Sequence, residues 1–287
     1  MKNNNESGTV KCAMVTGGSR HIGQGIAIVL AEYGYDVAIT YATSPDGAEE
    51  TKRQIEELGR RCFIYEAHLE NPETPERVIN AARKDMGRLD VMICNAGKDT
   101  RSSVLTATAE DYDMLYANNL RNYFLCVGAA ARNMVNDGIE GSIIMITSVR
   151  ARMVHHDDFY YGALKAAMER SCKSMAADLS AHKIRVNCVA PGAVWKADKE
   201  GNIPVTPFLK DSIPLGRSGY TRDIGEACAY LADERSAYVT GTTLLVDGGL
   251  CLPGMMEHDA TQWKHPNWTS RHQSRAMEIL KNSQEQE

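Results

Sequence analysis

Short apolar runs alternate along this chain with longer segments in which apolar residues recur every three or four positions. We interpret the short runs as buried strands and the periodic segments as amphipathic helices. The predicted strands cover residues 11–16, 36–41, 61–67, 90–94, 142–147, 184–190 and 242–246. The predicted helices cover residues 47–58, 74–85, 110–136 and 223–231, with one more around Ile26 to Leu30 and another from Tyr161 to about Ala181.

Strands that are separated by helices of about ten or more residues need crossover connections, which produce a parallel sheet. The pattern therefore predicts an α/β fold with a doubly wound parallel sheet, the Rossmann fold, as a single domain over residues 9–250. Residues 193–219 contain prolines and glycines without long periodicity, which predicts a mobile substrate lid.

From Cys251 the chain becomes polar and loop-rich, and residues 251–287 are predicted to form a C-terminal extension with a short helix between Arg271 and Asn282. This extension contains Met255, Met256, Trp263 and Trp268. An exposed tail does not need two tryptophans, so we expect it to dock on its own or a neighbouring subunit.

Composition and charge narrow the class of protein. The chain has 287 residues and a net charge of -5, with no basic patch that would indicate a nucleic-acid partner. No apolar run approaches the roughly 18 residues of a membrane span, and residues 1–7 lack the apolar core of a secretory signal. The eight cysteines are scattered singly. We therefore expect reduced thiols and a cytoplasmic protein.

A glycine-rich stretch joins the first predicted strand to the first helix. Gly17 and Gly23 bracket this stretch, which reads Gly-Gly-Ser-Arg-His-Ile-Gly. A strand, a glycine turn and a helix N-terminus together present backbone N–H groups to a pyrophosphate. Gly17 would allow a tight turn, and Gly23 would let the helix approach the sheet.

A candidate catalytic pair lies on one predicted helix. Tyr161 and Lys165 are four residues apart, so they share a helical face. A nearby cation lowers the pKa of a phenol, which predicts a proton donor and acceptor. Ser148 stands at the end of a predicted strand and would bring a hydroxyl to the sheet edge. Taken alone, the pair is equally compatible with a packed tyrosine beside a solvated lysine.

With Asn95-Ala96-Gly97 after the fourth strand and Pro191-Gly192 after the sixth, these motifs resemble the single-domain branch of the short-chain dehydrogenase/reductase family. The resemblance implies a catalytic tetrad of Asn119, Ser148, Tyr161 and Lys165. Ser148 would hydrogen-bond the carbonyl oxygen, Tyr161 would donate its proton, Lys165 would lower the pKa of Tyr161 and bind the nicotinamide ribose, and Asn119 would hold a water. The reaction would interconvert a secondary alcohol and a ketone.

The resemblance also implies a set of dinucleotide contacts. They are Gly17, Ser19, Arg20, His21, Ile22, Gly23, Tyr41, Thr43, Ser44, His68, Leu69, Asn95, Ala96, Gly97, Tyr161, Lys165, Pro191, Gly192 and Val194. No acidic residue follows the second strand directly, and Arg20, Thr43 and Ser44 could bind a phosphate, so NADP(H) is favoured and NAD(H) is the alternative.

Four positions depart from the family pattern. His21 stands where the middle glycine of the loop is usual, which predicts a backbone that needs no glycine-only conformation. Cys94, His68 and Lys196 replace an asparagine, an aspartate and a threonine respectively. None of the four belongs to the tetrad.

The apolar residues after Ser148 and in the lid predict a bulky hydrophobic ketone as substrate, such as the steroids of bacterial hydroxysteroid dehydrogenases. These residues are Val149, Met153, Val154, Trp195, Val205, Phe208, Leu209 and Ile213. A 3-oxoacyl-carrier-protein reductase, for which Arg150, Arg152 and Lys196 would supply positive charge, and a sugar dehydrogenase remain alternatives.

Two alternatives of other kinds remain. A non-catalytic dinucleotide sensor or scaffold would keep the fold, but it would not need all four tetrad residues. Residues 155–158, His-His-Asp-Asp, could suggest a metal site. They are interpreted as a solvated loop instead, because adjacent side chains diverge and rarely bind one metal ion.

The family resemblance further predicts a homo-oligomer, either a tetramer or a dimer.

Overall fold

The computed structural model describes residues 9–100, 103–195 and 213–252. The strands are β1 Cys12–Val15, β2 Asp36–Tyr41, β3 Cys62–Glu66, β4 Val91–Cys94, β5 Ser142–Ile146, β6 Arg185–Pro191, β7 Val194–Trp195, β8 Gly219–Tyr220 and β9 Thr243–Val246. The helices are α1 His21–Glu32, α2 Pro45–Glu57, α3 Thr74–Met86, α4 Ala109–Tyr116, α5 Asn122–Asp137, α6 Phe159–Leu179 and α7 Thr221–Ala232.

Seven strands form one parallel sheet in the order β3-β2-β1-β4-β5-β6-β9. The chain winds outward from β1 to β3 and then returns to continue from β4 on the other side. The predicted doubly wound α/β fold is therefore confirmed. The strand order reverses between β1 and β4, and in such sheets ligands bind at the carboxyl ends of the strands beside this reversal.

Side chains of each strand alternate between two hydrophobic cores, because successive Cβ atoms point to opposite faces. In β1, Cys12 and Met14 pack with α3, α5 and α6, whereas Ala13 and Val15 pack with α1, α2 and α7. Burial on both faces explains why the strands read as continuous apolar runs rather than alternating ones.

The helix predicted over 110–136 is interrupted at Asn119, a predicted catalytic residue. A π-helical turn over Ala117–Arg121 separates α4 from α5 and buries the side chains of Asn118 and Asn119. The Thr108 hydroxyl oxygen caps the start of α4 by accepting the backbone N–H of Asp111, and the Thr108 backbone N–H donates to the Asp111 carboxylate, which completes a capping box. Apolar periodicity continues through a π turn, so the sequence pattern did not reveal it.

The two ends of the predicted lid are joined by a short ladder. Val194 and Trp195 in β7 pair in parallel with Gly219 and Tyr220 in β8. Residues 196–212, with Lys196, Val205, Phe208 and Leu209, lie outside the described residues. The same holds for residues 253–287, which contain Met255, Met256, Trp263, Trp268 and the predicted helix after Arg271.

Glycines allow α1 and α7 to pack closely. A Cβ atom on Gly25 would lie 2.6 Å from the Cβ of Thr221, and one on Gly225 would lie 2.7 Å from Val29. Across the described ranges, no helix combines the length and apolar character that a membrane crossing requires.

Candidate active site

The glycine loop after β1 is held by Thr16 and Asn95. The hydroxyl oxygen of Thr16 accepts hydrogen bonds from the backbone N–H groups of Asn95 and Ala96, at 2.9 and 3.0 Å. The Asn95 side-chain amide donates to the carbonyls of Thr16 and Gly17, at 2.9 and 3.2 Å. The two loops that follow β1 and β4 are therefore connected at the point where the strand order reverses.

Two glycines in this loop have the functions expected of them. Gly17 adopts a φ of 66°, which only glycine enters without steric cost. A Cβ atom on Gly23 would lie 2.1 Å from the Gly17 carbonyl oxygen, so a side chain there would push α1 away from the loop. This close approach is what a helix needs to bring its N-terminus against a pyrophosphate.

The backbone conformation of His21 differs from the one predicted from its side chain. Its φ is 48°, in the left-handed region that glycine favours. The expectation that this position needs no glycine-like conformation is therefore wrong. Histidine is among the non-glycine residues that enter this region most often, at a cost of roughly 1–2 kcal/mol per residue.

A groove of about 590 Å³ runs along the carboxyl ends of the strands and is lined by most of the residues predicted to contact a dinucleotide. It is lined by Gly17, Ser19, Arg20, His21, Ile22, Gly23, Tyr41, Thr43, His68, Leu69, Asn95, Ala96 and Gly97 from the predicted set, together with Thr40, Ala42, Ala67, Glu70, Lys98, Asp99, Asn118 and Asn122. Ser44 and Val194 were predicted as contacts but do not line this groove.

A second cavity of about 280 Å³ continues from the groove. All four predicted catalytic residues line it, as do Pro191 and Gly192. The groove and the cavity share Ile22, Asn95, Gly97, Lys98 and Asp99. A dinucleotide in the groove would therefore end where Ser148, Tyr161, Lys165 and Asn119 meet.

Ser148 and Tyr161 present their hydroxyls together in this cavity. Ser148 follows β5, and its Oγ accepts the backbone N–H of Arg150 at 3.2 Å. The Ser148 side chain also lies near the Tyr161 phenol and acts to lower its pKa. Two hydroxyls side by side can bind one carbonyl oxygen and stabilise charge that develops on it.

The pKa of Tyr161 is raised to about 12, mainly by burial and then by Asp99. The net shift is therefore upward, opposite in direction to the lowering predicted from Lys165. Lys165 is itself buried, and burial lowers its pKa to about 7, so it is a weak source of positive charge at neutral pH. Its ammonium donates to the Ile146 carbonyl at 3.0 Å and lies 5.4 Å from the centre of the Tyr161 ring.

Asn119 sits in the π-helical turn and is fully buried. Its side-chain N–H groups donate to the carbonyls of Lys98 at 2.8 Å and Leu115 at 3.1 Å. Its Oδ1 is buried and accepts no hydrogen bond from any of the residues that the structure describes. A buried amide oxygen without a protein partner at the cavity wall is suited to bind a water or a ligand hydroxyl.

The described apolar residues that were expected to line a steroid pocket do not line this cavity. Among the described ones, Val149 and Ile213 are buried in the body, whereas Met153, Val154 and Trp195 are exposed, and none of these five lines the 280 Å³ cavity. Most side chains around that cavity are polar. The remaining members, Val205, Phe208 and Leu209, lie outside the described residues.

Sequence reasoning missed three charged residues at this cavity. Lys98 and Asp99 follow the Asn-Ala-Gly motif directly, and Arg150 comes two residues after Ser148. Their positions immediately beyond two adjacent strands of a parallel sheet were the available signal. Arg150 was considered only as surface charge for an acidic partner.

Known proteins resemble this chain over most of its length. A family profile described as "Enoyl-(Acyl carrier protein) reductase" matches residues 17–251. An uncharacterized oxidoreductase, YohF of Escherichia coli strain K12, is 35% identical over 241 residues, which are 84% of this chain and 95% of that protein. L-rhamnose 1-dehydrogenase (NAD(P)(+)) of Sphingomonas sp. strain SKA58 is 34% identical over 243 residues, covering 84% of this chain and 96% of its own. The crystal structure of acetoin dehydrogenase from Enterobacter cloacae superposes with a TM-score of 0.80 at 35% identity, covering 87% of this chain and 100% of that one.

Proposed function

Because this chain belongs to the short-chain dehydrogenase/reductase family and is an NAD(P)-dependent oxidoreductase of alcohols and ketones, we propose that Tyr161 is its proton donor and acceptor. We further propose that the substrate is a small polar hydroxy ketone or the corresponding diol. The observation that carries the first proposal is the shared cavity of Ser148, Tyr161, Lys165 and Asn119.

The residues around the groove fit a nicotinamide dinucleotide. Gly17 and Gly23 leave space that a Cβ would fill, and the N-terminus of α1 faces the groove. The dinucleotide supplies or accepts the hydride when it is bound. The groove residues named above would hold it, and Lys165 and Asn119 line the cavity that continues from the groove.

The protein's own contribution to the reaction is proton transfer and charge stabilisation. Ser148 would donate a hydrogen bond to the carbonyl oxygen, and Tyr161 would give its proton to that oxygen as negative charge develops. Such general acid catalysis contributes about 10²- to 10⁴-fold. Asn119 would accept a hydrogen bond from a water that returns a proton toward Lys165.

NADP(H) remains the favoured cofactor in this proposal. Arg20 is exposed at the groove and Thr43 lines it, while β2 ends in Tyr41 without an acidic residue. A cationic side chain binds a 2′-phosphate and does little for a 2′-hydroxyl. Arg20→Ala should lower kcat/KM for NADPH about tenfold and leave kcat/KM for NADH nearly unchanged. Equal losses with both cofactors would contradict this preference.

The substrate proposal rests on the polar wall of the cavity. Lys98 and Asn119 line the same cavity as the reacting hydroxyls and can bind a second oxygen next to the carbonyl. Relatives named for acetoin and rhamnose act on a hydroxy ketone and a sugar, so both classes are included in the test. A hydroxysteroid remains the alternative for a substrate that reaches beyond this cavity.

A carrier-protein substrate is less well supported. Arg150 pairs with Asp99 and Asp158, and Arg152 pairs with Glu169. These two arginines are thereby neutralised, which weakens their attraction for an acidic partner. Lys196, the third basic residue of this hypothesis, lies outside the described residues.

The deciding experiment is a substrate panel with purified protein, both cofactors and two matched variants. The panel contains acetoin and related diols, rhamnose, a steroid ketone and a 3-oxoacyl thioester. Tyr161→Phe should lower turnover about 10²- to 10⁴-fold without weakening cofactor binding. Tyr160→Phe is the control, because that ring packs on Tyr112, with centroids 4.5 Å apart, and does not line the cavity.

Each outcome separates the candidates. Turnover of acetoin or a sugar supports the polar substrate, and turnover of the steroid alone supports the hydrophobic alternative. Cofactor binding without turnover of any compound would support a dinucleotide sensor. Full activity of Tyr161→Phe would exclude Tyr161 as the acid.

Cellular setting and assembly complete the proposal. All eight cysteines are free thiols and seven of them are buried, which suits a reducing, cytoplasmic environment. Small residues on α6, among them Ala163 and Ala167, would permit close packing with a second copy. Light scattering of the purified protein should therefore give a dimer or a tetramer.

A further inference from the structure

We propose that Asp99, Arg150 and Asp158 form a carboxylate–arginine–carboxylate clamp that positions Tyr161 and sets the pH range in which it transfers protons. This inference rests on the proposed role of Tyr161 as the acid. Arg150 acts in it as a positioning residue.

The clamp joins three separate segments around one side chain. Arg150, in the short 3-10 turn after β5, donates from Nε to Asp158 at 2.5 Å and from Nη1 to Asp99 at 2.8 Å. Asp99 belongs to the loop after β4, and Asp158 is the residue before α6. The Asp158 carboxylate is 2% exposed and the Arg150 side chain 18%, so this ion pair is shielded from solvent.

Arg150 contacts both hydroxyl-bearing residues of the site. Its guanidinium carbon lies 4.6 Å from the centre of the Tyr161 ring, within the range of a cation–π contact. Its backbone N–H donates to the Ser148 oxygen at 3.2 Å. That bond occupies an acceptor site of Ser148, which leaves the Ser148 proton available for a substrate oxygen.

A glycine makes the approach possible. A Cβ atom on Gly162 would lie 2.7 Å from the Arg150 carbonyl oxygen. The first turn of α6 therefore packs directly on the 3-10 turn, and the backbone N–H of Gly162 donates to the Asp158 carbonyl at 3.1 Å. Tyr161 is fixed between these two contacts.

Among the described residues, several charged side chains lie near Tyr161. They are Lys98 and Asp99 after β4, Arg150 after β5, Asp158 before α6 and Lys165 within α6. The phenol of Tyr123 on α5, which is neutral, also lies nearby. Asp99 and Asp158 raise the pKa of Tyr161, and Arg150 lowers it. Arg150 therefore supplies the electrostatic effect that the sequence had assigned to Lys165.

Two substitutions in the clamp should shift the pKa of the Tyr161 phenol in opposite directions. Arg150→Gln removes the positive charge and leaves both carboxylates, so the phenol becomes a weaker acid. Asp99→Asn removes a negative charge from a half-exposed position, so the phenol becomes a stronger acid. Each charge should displace the pH profile by about one unit.

The experiment measures kcat/KM for carbonyl reduction and alcohol oxidation from pH 6 to 10, with the substrate and cofactor that the panel identifies. The pH dependence should move to higher pH in Arg150→Gln and to lower pH in Asp99→Asn. At one fixed pH below the phenol pKa, activity should fall about three- to tenfold in Arg150→Gln and rise in Asp99→Asn. Arg150→Lys, which keeps the charge, should restore most of the profile.

Arg152→Gln is the matched control. Arg152 is two residues further along and pairs with Glu169 at 2.9 Å, away from the cavity, so its profile should equal that of the wild type. Thermal unfolding of every variant reports whether it folds. If Arg150→Gln does not fold, Asp99→Asn decides alone, because Asp99 is half exposed.

The clamp is refuted if folded Arg150→Gln and Asp99→Asn keep the wild-type profile, or if both shift in the same direction. A merely structural role would lower activity in both variants without opposite displacements. Failure of the clamp can be distinguished from failure of the proposed function. If Tyr161 is not the acid, Tyr161→Phe remains active, whatever the profiles of the other variants.

Discussion

Replacing Gly23 with alanine tests how the dinucleotide groove is built. The added Cβ would lie 2.1 Å from the Gly17 carbonyl oxygen and 2.6 Å from the Asn95 amide nitrogen. Backbone atoms of the loop cannot rotate away as a flexible side chain could. The start of α1 must therefore move away from the loop by about an ångström, as overpacked sites do.

The magnitude follows from the contacts that this movement disturbs. Overpacking of this kind costs about 1–3 kcal/mol. The Asn95 amide also holds the carbonyls of Thr16 and Gly17, and each lost hydrogen bond adds about 1 kcal/mol. Because the displaced groups line the groove, a loss of 1–3 kcal/mol would weaken cofactor binding by about 5- to 150-fold.

Gly25→Ala separates cofactor binding from stability. Its Cβ would lie 2.6 Å from Thr221 on the other side of the same helix, so it overpacks the contact between α1 and α7 instead. Both variants should unfold at lower temperature, by about 2–4 °C for each kcal/mol. The dissociation constant, measured by fluorescence titration with the reduced nicotinamide cofactor, should rise in Gly23→Ala alone. An unchanged constant in Gly23→Ala, or equal increases in both variants, would refute the argument.

Three further outcomes are expected. His21→Gly should raise the stability of the cofactor-free protein by up to about 1 kcal/mol, because it removes a side chain from a φ of 48°; a melting temperature no higher than wild type would contradict this. Thr16→Val should cost about 2–4 kcal/mol in chemical denaturation because two backbone N–H groups lose their acceptor, whereas Thr40→Val, which frees only the N–H of Gly17, should cost less. Lys165→Met should stabilise the protein at pH 7 and below, by at most about 5 kcal/mol, because burial lowers the Lys165 pKa from 10.5 to about 7. The unfolded chain binds more protons between those two values, so wild-type stability should rise toward that of the variant as pH increases from 7 to 10; a constant difference over that range would show that Lys165 titrates normally.

Much of the fold was determined by local sequence patterns. Strands buried on both faces must be continuously apolar, and helices between them must show a periodic apolar face, so the order of elements could be predicted without coordinates. The glycine loop and the Tyr161–Lys165 spacing were equally legible, because short motifs encode backbone conformations and helical faces. The family resemblance, rather than these patterns, implied that Ser148, Asn119, Pro191 and Gly192 belong to one site, and all four line the cavity.

The tertiary structure decided what depends on burial and on contacts between distant residues. It gave His21 a left-handed conformation, inserted a π turn at Asn119 and placed the five described steroid-lining candidates outside the cavity. It also raised the pKa of Tyr161, because the phenol itself is buried and Asp99 approaches it from another loop. A pKa depends on every charge and every solvent-excluding atom nearby. Only the folded chain brings Asp99, Arg150 and Asp158 to the same tyrosine.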